Sequence, residues 1–242
     1  MKDQYFGDRR DFWKYDLLME LAERAVGHPR LTILPMLTRD DGSAEGKLTS
    51  YPVGGRRSEL REFLWGGVKD GRRSLPRLHC FFDPIGWDLA LHDHEWLPGE
   101  RSGDYFASLP TRLAADAVVF IDPDIGLVPE KRAPSAGNRP KYVSYDQAGG
   151  VFRLLRGTSV LVIYQHLQFN AHKRESDLQA KCRRLSQELS GRRVWGLWAG
   201  DLAFVVCACP TADDGVVGQA LEEYASRLKM RLLCEAGSLS TP

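Results

Sequence analysis

The chain has 242 residues, 43% hydrophobic and 27% charged, which is ordinary for a folded globular protein. Its 33 basic residues nearly balance its 32 acidic ones, so the net charge of +1 excludes a strong overall attraction to nucleic acid or membranes. The apolar runs are too short to span a bilayer, the residues 1–4 are polar, and the five cysteines lack a disulfide-framework spacing. These features predict a cytoplasmic protein with no membrane partner.

Apolar spacing and turn residues divide the chain into alternating helices and strands. In chain order, they predict a helix over 11–26, a strand over 31–37, a helix over 58–68, a strand over 78–82, a helix over 105–115, a strand over 118–121, a helix over 145–155, a strand over 159–164, a helix over 173–189, strands over 194–198 and 203–209, and a helix over 217–228. Polar and Gly-rich or basic stretches predict loop insertions near 38–55 and 128–141. We expect one α/β domain over 1–242, with a Rossmann-like, doubly wound, mostly parallel sheet and a C-terminal antiparallel hairpin.

The most informative segment is the strand that ends in Asp122-Pro123-Asp124. The preceding residues 118–121 form a continuous apolar run, which is typical of a strand buried on both faces. The carboxyl ends of such strands are where α/β proteins bind ligands, and a carboxylate there is costly unless water, a metal or a ligand meets it. We therefore expect Asp122, Pro123 and Asp124 to form a catalytic site. The two carboxylates could accept hydrogen bonds from a substrate or hold Mg²⁺ or Mn²⁺, and a solvated turn is the structural alternative.

The next core strand ends in Tyr164-Gln165-His166. If the two strands are neighbours, His166 opens onto the same crevice as Asp122 and could act as an acid, a base or a metal ligand, with Tyr164 beside the substrate. Hydrogen bonding of His166 to loop carbonyls is the alternative. The His92-x-His94 pair has no third ligand at an obvious spacing, which favours an ordinary loop over a metal site.

Charged and aromatic residues alternate over 6–15, at the start of the first predicted helix. The candidate substrate-binding residues in this run are Gly7, Asp8, Asp11 and Lys14. Free N–H groups at a helix start favour anions, so Lys14 and Arg10 could bind a phosphate or a carboxylate there, while Asp11 could serve as the N-cap. The alternative is an amphipathic helix with a charged outer face.

The central motif resembles one from a known group of enzymes. Asp122-Pro123-Asp124 is similar to the Asp-Pro-Pro-Tyr-type motif of amino-methyltransferases that act on adenine or other exocyclic amines. The resemblance implies that Asp122 and the carbonyl group after Pro123 hold the target amine. Asp124 stands in place of the second Pro, and Ile125 stands in place of the aromatic residue that stacks on the base.

The N-terminal run carries a second resemblance. The segment from Gly7 to Lys14 is similar to the Gly-Asn-x-x-Asp-x-x-Lys segment of ribosomal-RNA adenine methyltransferases of the large-subunit type, with Asp8 in place of the Asn. The whole chain also resembles a group of uncharacterised bacterial proteins. These share a Gly-Asp-x-x-Asp-Phe-x-Lys-Tyr start and an Asp-Pro-Asp-x-Gly-Leu centre.

The methyltransferase resemblance implies S-adenosylmethionine as the cofactor and RNA or DNA as the substrate. The residues expected to hold the cofactor after the first strand are Thr38, Asp40, Asp41 and Gly42. This segment has a single Gly where such enzymes have a Gly-rich turn, so two alternatives stay open. One is a metal-dependent nuclease or nucleotidyl/glycosyl transferase that acts on a phosphate-containing substrate, and the other is a non-catalytic binding module.

Overall fold

A computed structural model describes residues 6–38, 57–92, 102–129, 133–167 and 170–235. The helices within these ranges are α1 (Arg9–Leu21), α2 (Ser58–Lys69), α3 (His79–Phe82), α4 (Ser102–Ala107), α5 (Tyr145–Leu154), α6 (Arg174–Glu188) and α7 (Asp214–Leu228). The strands are β1 (Arg30–Pro35), β2 (Asp88–Leu91), β3 (Val118–Asp122), β4 (Gly126–Leu127), β5 (Tyr142–Val143), β6 (Val160–His166), β7 (Val194–Ala199), β8 (Leu202–Ala208) and β9 (Arg231–Glu235). A π-helical turn, Ala22–Val26, continues α1, and short 3₁₀ helices are Leu75–Leu78, Asp83–Ile85, Thr111–Ala114, Ala136–Lys141 and Ala171–Lys173.

The described residues form a seven-stranded sheet in the order β2-β1-β3-β6-β8-β7-β9. Strands β2, β1, β3 and β6 are paired in parallel. Strand β8 runs antiparallel between β6 and β7, and β9 runs antiparallel to β7. Five of the seven strands therefore point the same way. This confirms an α/β fold with a mostly parallel sheet.

The apolar run of β3 has the burial that the sequence predicts. All five residues of β3 are buried, and its four apolar side chains alternate between two hydrophobic cores on opposite faces of the sheet. Val118 and Phe120 pack in the core that contains residues of α1, α2 and α7. Val119 and Ile121 pack in the core that contains residues of α5 and α6. Helices thus cover both faces of the sheet.

Helix α1 also buries charged side chains against α7. The hydroxyl group of Tyr224 donates a hydrogen bond to Asp16 Oδ2 at 2.9 Å, and Arg57 Nε lies 3.2 Å from the other carboxylate oxygen. One turn later, Glu20 forms an ion pair with Arg227 Nη2 at 3.0 Å. Because Asp16 and Glu20 are both almost fully buried, these partners are required to offset the cost of removing the carboxylates from water.

The prediction of a strand over 78–82 is wrong. These residues form the end of a 3₁₀ helix and then α3, and the strand at this edge of the sheet is β2, ten residues later. Leu75, Leu78 and Phe82 are all fully buried, and their spacing of three and four residues places them on one face of a helical segment. A short apolar run does not distinguish a strand from a buried helical turn.

Other predicted elements differ at their boundaries. The helix expected over 105–115 is divided into α4 and a 3₁₀ turn by Pro110, which has no N–H group to continue a helix. The loop expected near 128–141 contains a 3₁₀ helix, while its residues 130–132, and most of the loop near 38–55, lie outside the described residues. Strand β9 was not predicted from sequence. Within the described ranges, no helix combines the length and apolar character that a membrane crossing requires.

Candidate functional site

The site lies where β1 and β3 end side by side. Pro35 pairs with Asp122 in the parallel register, and the backbone N–H of Met36 donates to the carbonyl oxygen of Asp122 at 3.2 Å. Strand β6 is the next neighbour of β3, and its final residues extend along the same edge. The Asp-Pro-Asp motif therefore occupies the carboxyl edge of a parallel sheet, as the sequence predicts.

Lys14 of α1 connects the N-terminal motif to the central motif. Its Nζ lies 3.0 Å from Asp122 Oδ2 and 3.0 Å from Asp11 Oδ1, and it lies 4.7 Å from the centroid of the Tyr164 ring. All three charged side chains are buried, with 5%, 1% and 0% of Lys14, Asp122 and Asp11 exposed. We call Lys14, Asp11 and Asp122 the buried triad. Segments 108 residues apart in sequence thus form one polar centre.

One oxygen of the buried triad has no hydrogen-bond partner. Asp122 Oδ2 accepts the hydrogen bond from Lys14, whereas Asp122 Oδ1 is buried and accepts none from the part of the chain that the structure describes. A buried acceptor without a donor is rare, because the lost hydration is not compensated. Because it lies at the strand end, this oxygen is a candidate acceptor for a hydrogen bond from a ligand.

The start of α1 is organised around Asp8 rather than Asp11. Asp8 is the N-cap, and its Oδ1 accepts hydrogen bonds from the N–H groups of Arg10 at 2.8 Å and Asp11 at 3.1 Å. Asp11 Oδ2 accepts from the N–H of Gly7 at 3.0 Å. The expectation that Asp11 is the N-cap is therefore wrong. Because carboxylates already bind these N–H groups, this helix start offers them to no anion.

Gly7 is required by its conformation and by its neighbour α2. Its φ of +82° lies in the left-handed region, and a Cβ there would lie 2.7 Å from the carbonyl oxygen of Leu64. This close approach places α2 directly against the start of α1. Gly7 therefore contributes to the site by adopting this backbone conformation and by allowing α2 to approach closely.

We expect Asp8→Ala to lower the free energy of unfolding by about 1 kcal/mol, because the variant loses the side chain that caps α1. Asp8→Asn is the matched control, since an amide oxygen also caps a helix. Urea unfolding followed by circular dichroism measures both. Equal losses in the two variants would show that the charge of Asp8, rather than its capping oxygen, stabilises this helix.

Burial and the ammonium group of Lys14 shift the pKa values of Asp11 and Asp122 in opposite directions. Burial raises the pKa of Asp11 to about 6, since the nearby Asp8 reinforces this effect and Lys14 only partly opposes it. Burial also raises the pKa of Asp122 against the opposing effect of Lys14. Although burial disfavours the ammonium group, the carboxylates of Asp122 and Asp11 raise the pKa of Lys14, which stays protonated.

A second polar group lies at the end of β6. Arg10 Nη2 donates to Asp201 Oδ2 at 2.7 Å, and His166 Nδ1 lies 3.9 Å from the same oxygen. Burial opposes ionisation of Asp201, but the hydrogen bond from Arg10 lowers its pKa below the ordinary value. The carboxylate near His166 is thus that of Asp201 and not that of Asp122. The sequence analysis does not identify Asp201 as a site residue.

Asp124 binds a different partner from Asp122. The hydroxyl group of Thr38 donates to Asp124 Oδ2 at 2.6 Å, so the end of β1 is connected to the Asp-Pro-Asp turn through this candidate cofactor residue. The other three candidates, Asp40, Asp41 and Gly42, lie outside the described residues. Within the described ranges, no three His, Cys, Asp or Glu side chains are grouped for a metal ion.

Gln165 holds the turn that follows Asp122, a role that the sequence analysis did not assign. Its Oε1 accepts a hydrogen bond from the N–H of Leu127 at 2.9 Å, and its Nε2 donates to the carbonyl oxygen of Ile125 at 3.2 Å. Gly126 between them has a φ of +133°, and a Cβ at this position would clash with the Gln165 amide. The Gly of the central motif is therefore explained by contact with the end of β6.

His92 has a local structural role. Its Nε2 lies 2.9 Å from the carbonyl oxygen of Tyr105, which agrees with the prediction of an ordinary loop residue. His94 lies outside the described residues.

The arrangement can bind a hydrogen-bond donor at Asp122 Oδ1, with Lys14 fixing the other oxygen and Tyr164 beside it. Arg10, Asp201 and His166 form a partly exposed polar group at the same edge of the sheet.

Comparison with known proteins adds no assignment to this geometry. No protein-family model matches the chain, and a search of curated proteins gives no match.

Proposed function

We propose that this chain is an S-adenosylmethionine-dependent methyltransferase that methylates an amine nitrogen held by Asp122. The observation that carries the proposal is the buried Asp122 Oδ1, which has no partner among the described residues and lies at the carboxyl end of a central strand. An N–H group of an amine is the donor that this oxygen needs. The exocyclic amine of RNA or DNA remains the substrate that the sequence resemblance predicts.

The sheet topology supports the same proposal. The reversed strand β8 lies between β6 and β7, an arrangement similar to that of Rossmann-like methyltransferase domains, and β9 adds a further antiparallel strand at this edge of the sheet. We propose that the chain has this doubly wound fold. Because one fold serves many activities, the topology supports the activity only together with the Asp122 site.

The proposal gives each residue of the site a role. Asp122 Oδ1 accepts a hydrogen bond from the amine, the carbonyl group after Pro123 is the second acceptor that the motif resemblance implies, and Lys14 fixes the orientation of the Asp122 carboxylate. S-adenosylmethionine, when bound, would supply an electrophilic methyl group on its positively charged sulfur. Thr38 and the following residues 40–42 would hold it at the end of β1.

The carboxylate oxygens of the Asp-Pro-Asp motif are better suited to binding an amine than a metal ion. The ammonium group of Lys14 already occupies the position beside Asp122 Oδ2 where a divalent cation would bind, and a second cation there would be repelled. Asp124 Oδ2 accepts from Thr38 instead. The carboxylate pair of the Asp-Pro-Asp motif therefore has separate partners, which makes metal-dependent phosphate chemistry the less favoured reading.

The test is calorimetric titration of the full chain with S-adenosylmethionine, followed by an assay for transfer of an isotopically labelled methyl group. We expect micromolar binding that is lost when Asp40 and Asp41 are replaced by Ala. Asp122→Ala should keep cofactor binding but lower methyl transfer by about 100-fold or more, whereas the exposed control Asp146→Ala should keep both.

Either of two outcomes would reject the proposal in favour of an alternative function. If S-adenosylmethionine does not bind but Mg²⁺ or Mn²⁺ binds and requires Asp122 and Asp124, the chain is the metal-dependent enzyme that acts on a phosphate-containing substrate. Silence towards both the cofactor and the metals would establish the non-catalytic binding module.

A further inference from the structure

Strand β9 forms one edge of the seven-stranded sheet, and no strand of the described ranges pairs with its outer side. Its inner side pairs with β7, so the alternate N–H and C=O groups of β9 point away from the sheet. Edge strands are commonly protected from further pairing by proline, lysine or a bulge. The five residues of β9 include no proline and no lysine, and their register with β7 is continuous.

The sequence of β9 is complementary to itself in an antiparallel arrangement. Two copies of β9 that pair around Leu233 place Arg231 of each strand opposite Glu235 of the other. Opposite charges then meet at both ends, and Leu232 faces Cys234 between them. This antiparallel register alone pairs all five residues, whereas pairs centred on Arg231 or on Glu235 bring like charges together.

A groove beside β9 has room for a side chain from a second strand. Cross-strand partners point to the same face of a sheet, so Leu232 of a second copy would lie beside Cys234, on the face that α7 covers. A cavity of about 350 Å³ opens there between β9 and α7. Gly215 and Gly218 line its α7 side, where they leave room because they lack side chains.

Neighbours in the same chain already hold the charged ends of β9 in place. The guanidinium group of Arg231 lies 2.9 Å from Glu175 and 5.0 Å from the centroid of the Trp198 ring. The side-chain amide of Gln179 donates a hydrogen bond to Glu235 at 2.7 Å. Less side-chain freedom is therefore lost when these ends pair with a second strand.

We propose that β9 binds β9 of a second copy of this chain, in an antiparallel pair centred on Leu233. The two seven-stranded sheets then form one continuous sheet, with a two-fold axis through the pair. The half-buried Leu232 and Leu233 become covered in this dimer. The inference is independent of the activity proposed above, because β6, β8 and β7 separate β9 from β3.

Sedimentation velocity of the full chain, from low to high micromolar concentration, tests the inference. We expect a reversible dimer with twice the 27.2 kDa mass of the chain. Because one strand pair is a small interface, its dissociation constant should be micromolar.

Exchanged charges test the register. Arg231→Glu and Glu235→Arg each place like charges opposite each other at both ends, and each should weaken association about tenfold or more. An equimolar mixture of the two variants should associate as tightly as the unaltered chain, because each charge then meets its opposite in the other chain. Lys69→Glu makes the same change of charge on the exposed surface of α2 and should leave the dissociation constant unchanged.

Cross-linking provides a measurement that does not depend on the charge variants. It uses a background with Cys80→Ser and Cys234→Ser, which removes both exposed cysteines. In this background, a short bismaleimide should convert Leu233→Cys into a covalent dimer, since Cβ atoms directly opposite in a strand pair are only about 5 Å apart. The exposed control Ile85→Cys should remain monomeric.

Any of four results would overturn the inference. The first two are a monomer at every concentration and a dissociation constant that neither β9 charge variant changes. The other two are a mixture that associates no better than either variant alone and equal cross-linking at positions 233 and 85.

Discussion

Replacing Lys14 by Met should lower the free energy of unfolding at pH 7 by about 3–5 kcal/mol, one of the two largest losses that we expect in this chain. Met nearly preserves the volume of the side chain but removes the ammonium group that lies 3.0 Å from both Asp11 and Asp122. Two fully buried carboxylates would then face each other without the ammonium group that they share. Urea unfolding of the variant measures the loss.

The loss should become smaller as the pH falls. In the unaltered chain, burial raises the pKa of Asp11 from 3.8 to about 6, so the folded state binds a proton more readily than the unfolded state. The contribution of Asp11 to stability therefore decreases as the pH rises from about 4 to about 6 and is constant above that range. Without Lys14 the pKa values of both carboxyl groups rise further, so protonation at pH 5 relieves more of the repulsion.

The exposed Lys69 in the last turn of α2 provides the matched control. Lys69→Met removes the same charge from the surface and should change stability by no more than about 0.5 kcal/mol. If Lys14→Met and Lys69→Met lost the same free energy, or if the loss did not depend on pH, the buried triad would not be the ion cluster described above.

Replacing Gly126 by Ala should lower the free energy of unfolding by about 3 kcal/mol or more. The φ of +133° is strained for any residue with a Cβ, and the new methyl group would overlap the Gln165 amide, which binds both flanking peptide groups. We also expect the turn after Asp122 to shift. Chemical unfolding measures the first effect, and the loss of methyl transfer with cofactor binding kept would report the second.

Gly137→Ala is the control for this substitution, because nothing lies within 4 Å of a Cβ added there and its φ is not positive. The double variant Gly126→Ala with Gln165→Ala, compared with Gln165→Ala alone, separates the two causes. It relieves the overlap but keeps the strained φ, and it also removes the Gln165 hydrogen bonds. Equal stability of Gly126→Ala and Gly137→Ala would contradict the role given to Gly126.

The local sequence predicts the centre of the sheet well. Residues 118–121 are apolar without interruption, and a strand covered on both faces buries every one of them. The sequence also marks Asp122 and Lys14 as site residues, and the structure brings them together. The strand-end rule and the charged start of α1 were sufficient for each assignment, because both are local signals.

Partners that depend on tertiary contacts were not predictable in this way. Asp201 follows a glycine in a two-residue turn, and nothing nearby in sequence shows that Arg10 will bind it. In the sequence, Gln165 resembles any other strand residue, because its contact with the turn at Gly126 is visible only in the folded structure. The helical residues 78–82 were misassigned because Leu78 and Phe82 suit a strand and a helical face equally well. Their burial against other elements decides between the two.

The pairing of α1 with α7 has a consequence for the order of folding. Asp16 and Tyr224 are 208 residues apart in sequence, and Glu20 and Arg227 are 207 apart. Helix α1 leaves the ribosome long before α7, so Asp16 and Glu20 lack the partners on α7 during most of translation. Closure of this long-range contact is a late event that completes both the hydrophobic core and the site.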